Sequence, residues 1–194
     1  MSDRLNIDKA STALAVIDLQ AGIVARPAYP HDARTVVENA MKLAEAFRKN
    51  GMPVFLVRVT PSPDLKYRLV PIADNPGHPA PPDPEWGRIA PELGPKEGDF
   101  IITKRQWGAF YGTELDLELR RRKISTIILC GISTNIGVES TARVAYEYGY
   151  QQIFAEDAMS AGQSKEVHEN TVKNIFARIG RVRKTEEILT ALNS

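Results

Sequence analysis

Cysteine is nearly absent from this sequence, since Cys130 is the only one in 194 residues. A lone thiol excludes an intramolecular disulfide framework and is typical of proteins in a reducing compartment. The N-terminal residues Met1–Asn6 lack the apolar stretch of a secretory signal, and no apolar run approaches the roughly 18 residues of a membrane span. We therefore expect a soluble, cytoplasmic protein with no membrane partner.

An excess of charge of either sign is also missing, because the formal net charge is only +1. Nucleic-acid-binding proteins usually carry clustered basic residues on one face. The one strongly basic run, 120–123, ends a predicted helix, where cations interact favourably with the helix dipole. No nucleic-acid partner is predicted.

Motifs for nucleotides and metals are absent as well. No GxGxxG follows a predicted strand, and no GxxxxGK[ST] occurs anywhere in the chain. The three histidines, His31, His78 and His168, are scattered and form no HxxxH or Asp-x-His grouping. We therefore predict no metal site and no cofactor.

Short apolar runs alternate with helical patterns along the chain. The runs at 13–17, 54–57, 100–103, 125–130 and 152–155 are typical of strands buried on both faces, and Val182 lies in a last short strand. Strands that alternate with helices indicate a parallel sheet covered on both sides. The prediction is one α/β domain over residues 1–194, with three α/β/α layers.

Local signals refine this organisation. Residues 61–95 hold ten of the thirteen prolines and predict a long ordered excursion. Asp32 is a possible cap of the first long helix, and Thr113–Asp116 matches a capping box. A further helix is predicted from about Thr134 to Tyr148.

Polar residues at the strand ends are the candidate site, because open parallel sheets bind ligands beyond the carboxyl ends of their strands. Asp18 could be a general acid or could orient a loop through a hydrogen bond. Lys104 holds the equivalent place after another strand, where a solvated surface role is the alternative. Asp157 is expected to cap the following turn.

The segment Gly131-Ile-Ser-Thr-Asn-Ile-Gly137 leads from a strand into a helix start, where free backbone N–H groups favour negative charge. Gly137 in the first helical turn costs roughly 1 kcal/mol relative to alanine, so either a ligand or a neighbouring backbone approaches closely there. Cys130, on a central strand, is expected to be a buried, inert thiol.

These residues together resemble the isochorismatase-like cysteine hydrolases. The resemblance rests on Ala15-Val-Ile-Asp-Leu-Gln20, on Lys104 with Phe110-Tyr-Gly-Thr113, on Leu129-Cys-Gly-Ile-Ser-Thr-Asn-Ile-Gly-Val-Glu-Ser-Thr-Ala142 and on Ala155-Glu-Asp-Ala158. It covers nearly the whole chain in order. It implies a six-stranded parallel sheet of order 3-2-1-4-5-6, a small-molecule substrate and a homo-oligomer, a dimer or larger.

The resemblance also implies the roles of individual residues. The cysteine branch uses an Asp–Lys–Cys triad, of which Asp18 and Lys104 hold the first two positions and Gly137 the third. The covalent route is then closed, as in the true isochorismatases, where an aspartate protonates a vinyl ether and water captures the oxocarbenium ion. A non-proline cis peptide is implied at Ile132–Ser133.

Substrate-binding roles are expected for Gln20, Ile132, Ser133 and Phe110, and the N–H groups of Ser133 and Gly137 are expected to face the ligand. The sequence departs from the isochorismatases at Ser133 and Asn135, where those enzymes have tyrosine and histidine, and the nicotinamidase metal site is absent. Isochorismate is the substrate that we expect. The alternatives are water-based C–N hydrolysis in the same pocket, and a catalytically silent metabolite-binding or scaffold protein.

Overall fold

Six parallel strands form one sheet with the order β3-β2-β1-β4-β5-β6. The structure is a computed structural model that describes residues 5–76, 81 and 83–193, so His78 lies outside the described residues. The strands are β1 (Thr12–Ile17), β2 (Val54–Val59), β3 (Phe100–Lys104), β4 (Thr126–Ile132), β5 (Gln151–Ser160) and β6 (Arg181–Arg183). The predicted strand order and parallel sheet are confirmed.

Helices cover both faces of this sheet and give the three predicted layers. They are α1 (Ala21–Val24), α2 (Ala33–Lys49), α3 (Leu115–Arg121), α4 (Glu139–Glu147), α5 (Lys165–Thr171), α6 (Ala177–Ile179) and α7 (Thr185–Leu192), with π-helical turns at Thr134–Val138 and Val172–Phe176. Among the described residues, none of the helices combines the length and the apolar character that crossing a lipid bilayer requires.

The apolar runs form the strands because each of them is buried on both sides. All six residues of β1 are buried, and β1 lies between β2 and β4 at the centre of the sheet. Helix α2 begins at Asp32, whose carboxylate accepts a hydrogen bond from the Thr35 N–H at 2.7 Å, so the predicted cap is confirmed. Its buried apolar face, which includes Val36 and Phe47, belongs to the same core as the strands.

Close contact between β1 and β4 requires a glycine near their carboxyl ends. Gly131 pairs with Ile17, has a φ of +129°, and leaves room where a Cβ atom would lie 2.0 Å from the Ile17 carbonyl oxygen. The sequence predicts that this strand ends at Gly131, but it continues to Ile132.

Three local predictions are wrong in detail. Strand β5 runs through Asp157, whose carboxylate caps α7 by accepting from the Thr185 N–H and hydroxyl, both at 2.7 Å. The capping box at Thr113–Asp116 does not form, because α3 begins at Leu115 and its N-cap makes no side-chain hydrogen bond. The helix expected from Thr134 starts with a π turn over Thr134–Val138, and the α-helix begins only at Glu139.

The excursion between β2 and β3 crosses the carboxyl ends of the strands. Its described residues contain turns but no helix or strand, apart from an isolated bridge between Gln20 and Ile89. Trp86 packs so closely over Gly22 that a Cβ atom there would lie 2.0 Å from the indole ring. The excursion is therefore anchored beside the start of α1.

Candidate active site

Asp18 follows the central strand at its carboxyl end. Its N–H donates to the Val57 carbonyl at 2.9 Å, so the residue is still held by the neighbouring strand. Its φ of +56° is in the left-handed region, which costs most residues roughly 1–2 kcal/mol but which aspartate tolerates better. Only 4% of Asp18 is exposed. Strained backbone of this kind concentrates at functional sites.

Lys104 ends β3 and is buried beside Asp18. Only 1% of it is exposed, and its Nζ donates to Asp18 Oδ2 at 2.7 Å. The same ammonium donates to the carbonyls of Trp107 at 2.6 Å and Gln106 at 3.2 Å, so all three of its protons have an acceptor. The solvated-surface alternative for Lys104 is therefore wrong.

The Asp18 carboxyl group has one oxygen that is not used in this pair. Oδ1 is buried and has no hydrogen-bond partner within the described residues, whereas Oδ2 accepts from Lys104. Burial raises the pKa of the Asp18 carboxyl above its ordinary value, and the Lys104 ammonium opposes that shift. Oδ1 is consequently the atom at which a proton can be held.

Gly137 lies directly against this ion pair. A Cβ atom at this position would be 2.7 Å from Asp18 Oδ2, 3.2 Å from the Ile17 side chain and 3.4 Å from Lys104 Nζ. The neighbour that a side chain would meet first is thus the Asp18 carboxylate, rather than a backbone segment. Because residue 137 is a glycine, it has no side chain that would displace or cover the Asp18–Lys104 pair.

Thr141, which the sequence did not single out, holds the turn around Gly137. Its hydroxyl donates to the Gly137 carbonyl at 2.7 Å and accepts from the Ala109 N–H at 3.1 Å. Ala109 belongs to the loop whose carbonyls bind Lys104, so one threonine connects the turn with that loop. A threonine one turn into a helix carries no motif that could have revealed this role.

Ile132 and Ser133 precede the π turn. Their peptide bond is cis, which confirms what the resemblance implies. The Ser133 hydroxyl donates to Asn135 Oδ1 at 2.8 Å and accepts from the Gly162 N–H at 3.2 Å. Ser133 and Asn135, the two residues that depart from the isochorismatase pattern, are therefore hydrogen-bonded to each other through their side chains.

Gln20 and Phe110 are not brought to the Asp18–Lys104 pair. The Gln20 amide accepts from the Val59 N–H at 2.8 Å and donates to the Val59 and Trp86 carbonyls, so it anchors the excursion. Phe110 is buried against the rings of Tyr148 and Tyr150.

Cys130 is fully buried in β4, as expected. Burial raises the pKa of its thiol far above the ordinary range, so the reactive thiolate does not form near neutral pH. Within the described part of the chain, no group of three or more histidine, cysteine, aspartate or glutamate side chains is arranged to hold a metal ion.

Comparison with known proteins points to one family. The isochorismatase domain matches residues 12–187. The chain is 54% identical to YecD, an uncharacterised isochorismatase family protein of Escherichia coli O157:H7, over 97% of this chain and 100% of YecD. An isochorismatase family protein from Burkholderia thailandensis superposes with a TM-score of 0.93 at 42% identity, covering 97% of this chain and 98% of that one. The N-carbamoylsarcosine amidase of Thermoplasma acidophilum superposes with a TM-score of 0.72 at 26% identity, covering 91% and 97%.

Proposed function

The chain belongs to the isochorismatase family of hydrolases, and we propose that it hydrolyses a small molecule without a covalent enzyme intermediate, with Asp18 as the general acid. The observation that carries this proposal is the buried Asp18 carboxyl group, which is held by Lys104 at one oxygen and has no hydrogen-bond partner at the other among the described residues.

A non-covalent route is supported by what lies beside the pair. Gly137 holds the position from which a side chain would meet both Asp18 and Lys104, and it has no nucleophilic atom. Cys130 is buried in the sheet with a thiol that burial keeps protonated by raising its pKa. Water is then the nucleophile that the proposed reaction uses.

Hydrolysis of a vinyl ether fits these groups step by step. The proton on Asp18 Oδ1 is transferred to the terminal vinyl carbon, and the ether oxygen supplies the electron pair that forms an oxocarbenium ion. Water adds to this ion and loses a proton, and the resulting hemiketal collapses to a ketone and an alcohol. Lys104 stabilises the Asp18 carboxylate that the first step leaves behind.

Isochorismate is the substrate that we propose, with pyruvate and a dihydrodiol as the products. Purified protein is incubated with isochorismate, and pyruvate is measured with a lactate dehydrogenase coupled assay. Release of pyruvate that is lost in Asp18→Asn and kept in Cys130→Ala supports the proposal. No release above the uncatalysed rate removes isochorismate as the substrate.

Hydrolysis of a C–N bond is the second candidate, and the similarity to an N-carbamoylsarcosine amidase favours it. In this reaction Asp18 would give its proton to the leaving nitrogen while water attacks the carbonyl. Ammonia release from a panel of carbamoyl and ureido compounds distinguishes this reaction from vinyl ether hydrolysis. Binding without turnover in either assay would support the silent metabolite-binding alternative.

A homo-oligomer is part of the proposal. Residues 65–72 carry five large apolar side chains that are 36–108% exposed, a surface that water would disfavour in an isolated chain. They are Leu65, Tyr67, Leu69, Val70 and Ile72. Sedimentation velocity is expected to show a dimer or larger, and Val70→Asp with Ile72→Asp is expected to shift it toward the monomer.

A further inference from the structure

A cluster of ionisable groups, of which His168 is buried, lies next to the π turn that carries Gly137. His168 Nε2 is 3.5 Å and His31 Nε2 is 4.0 Å from the same oxygen of Glu156, Oε1. The other oxygen of Glu156 is bound by the Lys184 ammonium. The proposed reaction uses none of these four residues.

One member of this cluster contacts the turn directly. His168 Nδ1 lies 2.8 Å from the hydroxyl oxygen of Thr134, the first residue of the π turn, and both residues are almost completely buried. The same turn places Gly137 against the Asp18–Lys104 pair. The Thr134 side chain therefore connects His168 with the backbone turn that lies beside the candidate site.

The groups around His168 indicate which of its two ring nitrogens carries the proton. The facing His168 ring and the Lys184 ammonium lower the pKa of the Glu156 carboxyl to about 2 against the effect of burial, so Glu156 is a carboxylate near neutral pH. A carboxylate facing Nε2 favours a proton on that nitrogen, and neutral His168 then has an acceptor at Nδ1. The Thr134 hydroxyl is consequently the donor in their hydrogen bond.

We propose that His168 is a positioning residue that holds the Thr134–Val138 turn through Thr134, and that a second proton on His168 loosens this turn beside Gly137. The inference adds to the proposed function but does not depend on the identity of the substrate. It assigns His168 no direct part in the chemistry.

The physical reason is the direction of the hydrogen bond. A proton added at Nδ1 makes this nitrogen a donor, so the Thr134 hydroxyl must accept and its own hydrogen loses its partner inside a buried site. The charged groups around His168 are Glu156 from β5, Lys184 before α7 and His31 before α2, while Glu139 of α4 binds α5 through Thr171.

Nuclear magnetic resonance tests this inference on the intact protein without a substrate. The backbone amide resonance of Gly137 and the ring nitrogen resonances of His168 are followed from about pH 5 to about pH 9, the range in which histidines usually titrate. We expect the Gly137 amide to shift with the same midpoint as the His168 ring. A Gly137 amide that does not respond while His168 titrates, or a His168 ring that does not titrate, would overturn the proposal.

Three variants separate this coupling from a general effect of pH. Thr134→Val removes the hydroxyl at nearly constant shape, and the shift of Gly137 is expected to disappear while His168 still titrates. Thr134→Ser retains the hydroxyl and is expected to keep the shift. This variant also tests the coupling if the valine variant does not fold. His31→Gln, whose residue shares Glu156 but has no contact with Thr134 among those described, is the matched control and is expected to keep the shift. Persistence of the shift in Thr134→Val would contradict the proposal.

Discussion

Two ion pairs, one buried and one part-buried, lie at opposite ends of the same sheet, and they differ in which atom has no hydrogen bond within the described residues. At the carboxyl ends, Lys104 Nζ is 2.7 Å from Asp18 Oδ2, and Asp18 Oδ1 has no partner within the described residues. At the amino ends, Arg48 Nη2 is 2.7 Å from Asp99 Oδ2, and Arg48 Nη1 is the atom without a hydrogen-bond partner in the described part of the chain. The N–O distance is the same in the two pairs. Among the described residues, the atom without a hydrogen bond is a carboxylate oxygen in one pair and a guanidinium nitrogen in the other.

The difference matters because only one of the free groups can exchange a proton. Asp99 accepts from Arg48 Nε and Nη2 and from the Lys96 N–H, so both of its oxygens are engaged. An arginine keeps its charge in a protein, whereas a carboxyl group with a raised pKa can be an acid near neutral pH. The Arg48–Asp99 pair borders a hollow of about 530 Å³.

Replacement of the cation tests both pairs and has the largest expected effect. Lys104→Met leaves Asp18 buried without its partner, and we expect a loss of roughly 3–5 kcal/mol in the free energy of unfolding at neutral pH. Arg48→Met is the matched control, with a loss of similar size. Only Lys104→Met is expected to abolish turnover. The measurements are chemical denaturation and kcat for both variants.

The loss of stability in Lys104→Met should also depend on pH. Without Lys104, burial alone raises the pKa of Asp18 in the folded state above its unfolded value, so the folded state binds the proton more tightly. The stability of Lys104→Met is therefore expected to be highest below the unfolded value of about 3.9 and to fall as pH rises through the folded value. Stability of Lys104→Met equal to that of the parent would show that the pair is not buried in solution.

Replacement of the acid has the next largest effect. Asp18→Asn keeps the shape but cannot donate a proton to carbon, so kcat is expected to fall by about 10²-fold or more while the substrate still binds. Asp99→Asn is the control, and it should lower the free energy of unfolding without a comparable change in kcat. The test is steady-state kinetics on the substrate that the assays identify, and turnover of Asp18→Asn at the parental rate would leave Asp18 with only a loop-orienting role.

A methyl group at Gly137 is expected to have a moderate effect. Gly137→Ala places a Cβ atom 2.7 Å from Asp18 Oδ2, so the carboxylate must shift, at a cost of roughly 1–3 kcal/mol in the free energy of unfolding. Gly162→Ala has no atom within 4 Å of the new Cβ and serves as the control with little change. Equal stability of both variants would mean that the turn lies further from the pair than described.

Removal of the only thiol has the smallest expected effect on catalysis. Cys130→Ala should keep kcat within a few fold, because Cys130 is buried in the sheet and no bond to it is proposed. Intact-protein mass spectrometry during turnover should find no acyl adduct. A stoichiometric thioester at Cys130 would contradict the non-covalent route.

The sequence predicted the parts of this comparison that depend on short-range patterns. The apolar run of β1 followed by Asp18, and the run of β3 followed by Lys104, were enough to place both residues at strand ends. Their direct contact spans 86 positions and followed from the parallel topology and the resemblance rather than from local signals. The sheet order and the cis peptide at Ile132–Ser133 came from the resemblance alone.

Long-range packing explains what the sequence did not reveal. The apolar run at 152–155 predicted a shorter strand, but β5 continues to Ser160 with a register shift against β4, and Asp157 accepts from the Thr185 N–H. Gln20 was expected at the ligand, yet its amide binds backbone groups 39 and 66 positions away. Contacts of this range have no local signature.

The most direct test of the account is the pKa of Asp18 itself. The protein is labelled with ¹³C at the aspartate carboxyl carbon, and the resonance of Asp18 is assigned by its loss in Asp18→Asn and followed with pH. We predict a midpoint above the ordinary aspartate value of about 3.9, because burial outweighs the nearby ammonium. A midpoint at or below that value would contradict the proposed role of Asp18, since burial would then not favour the protonated form that a general acid needs.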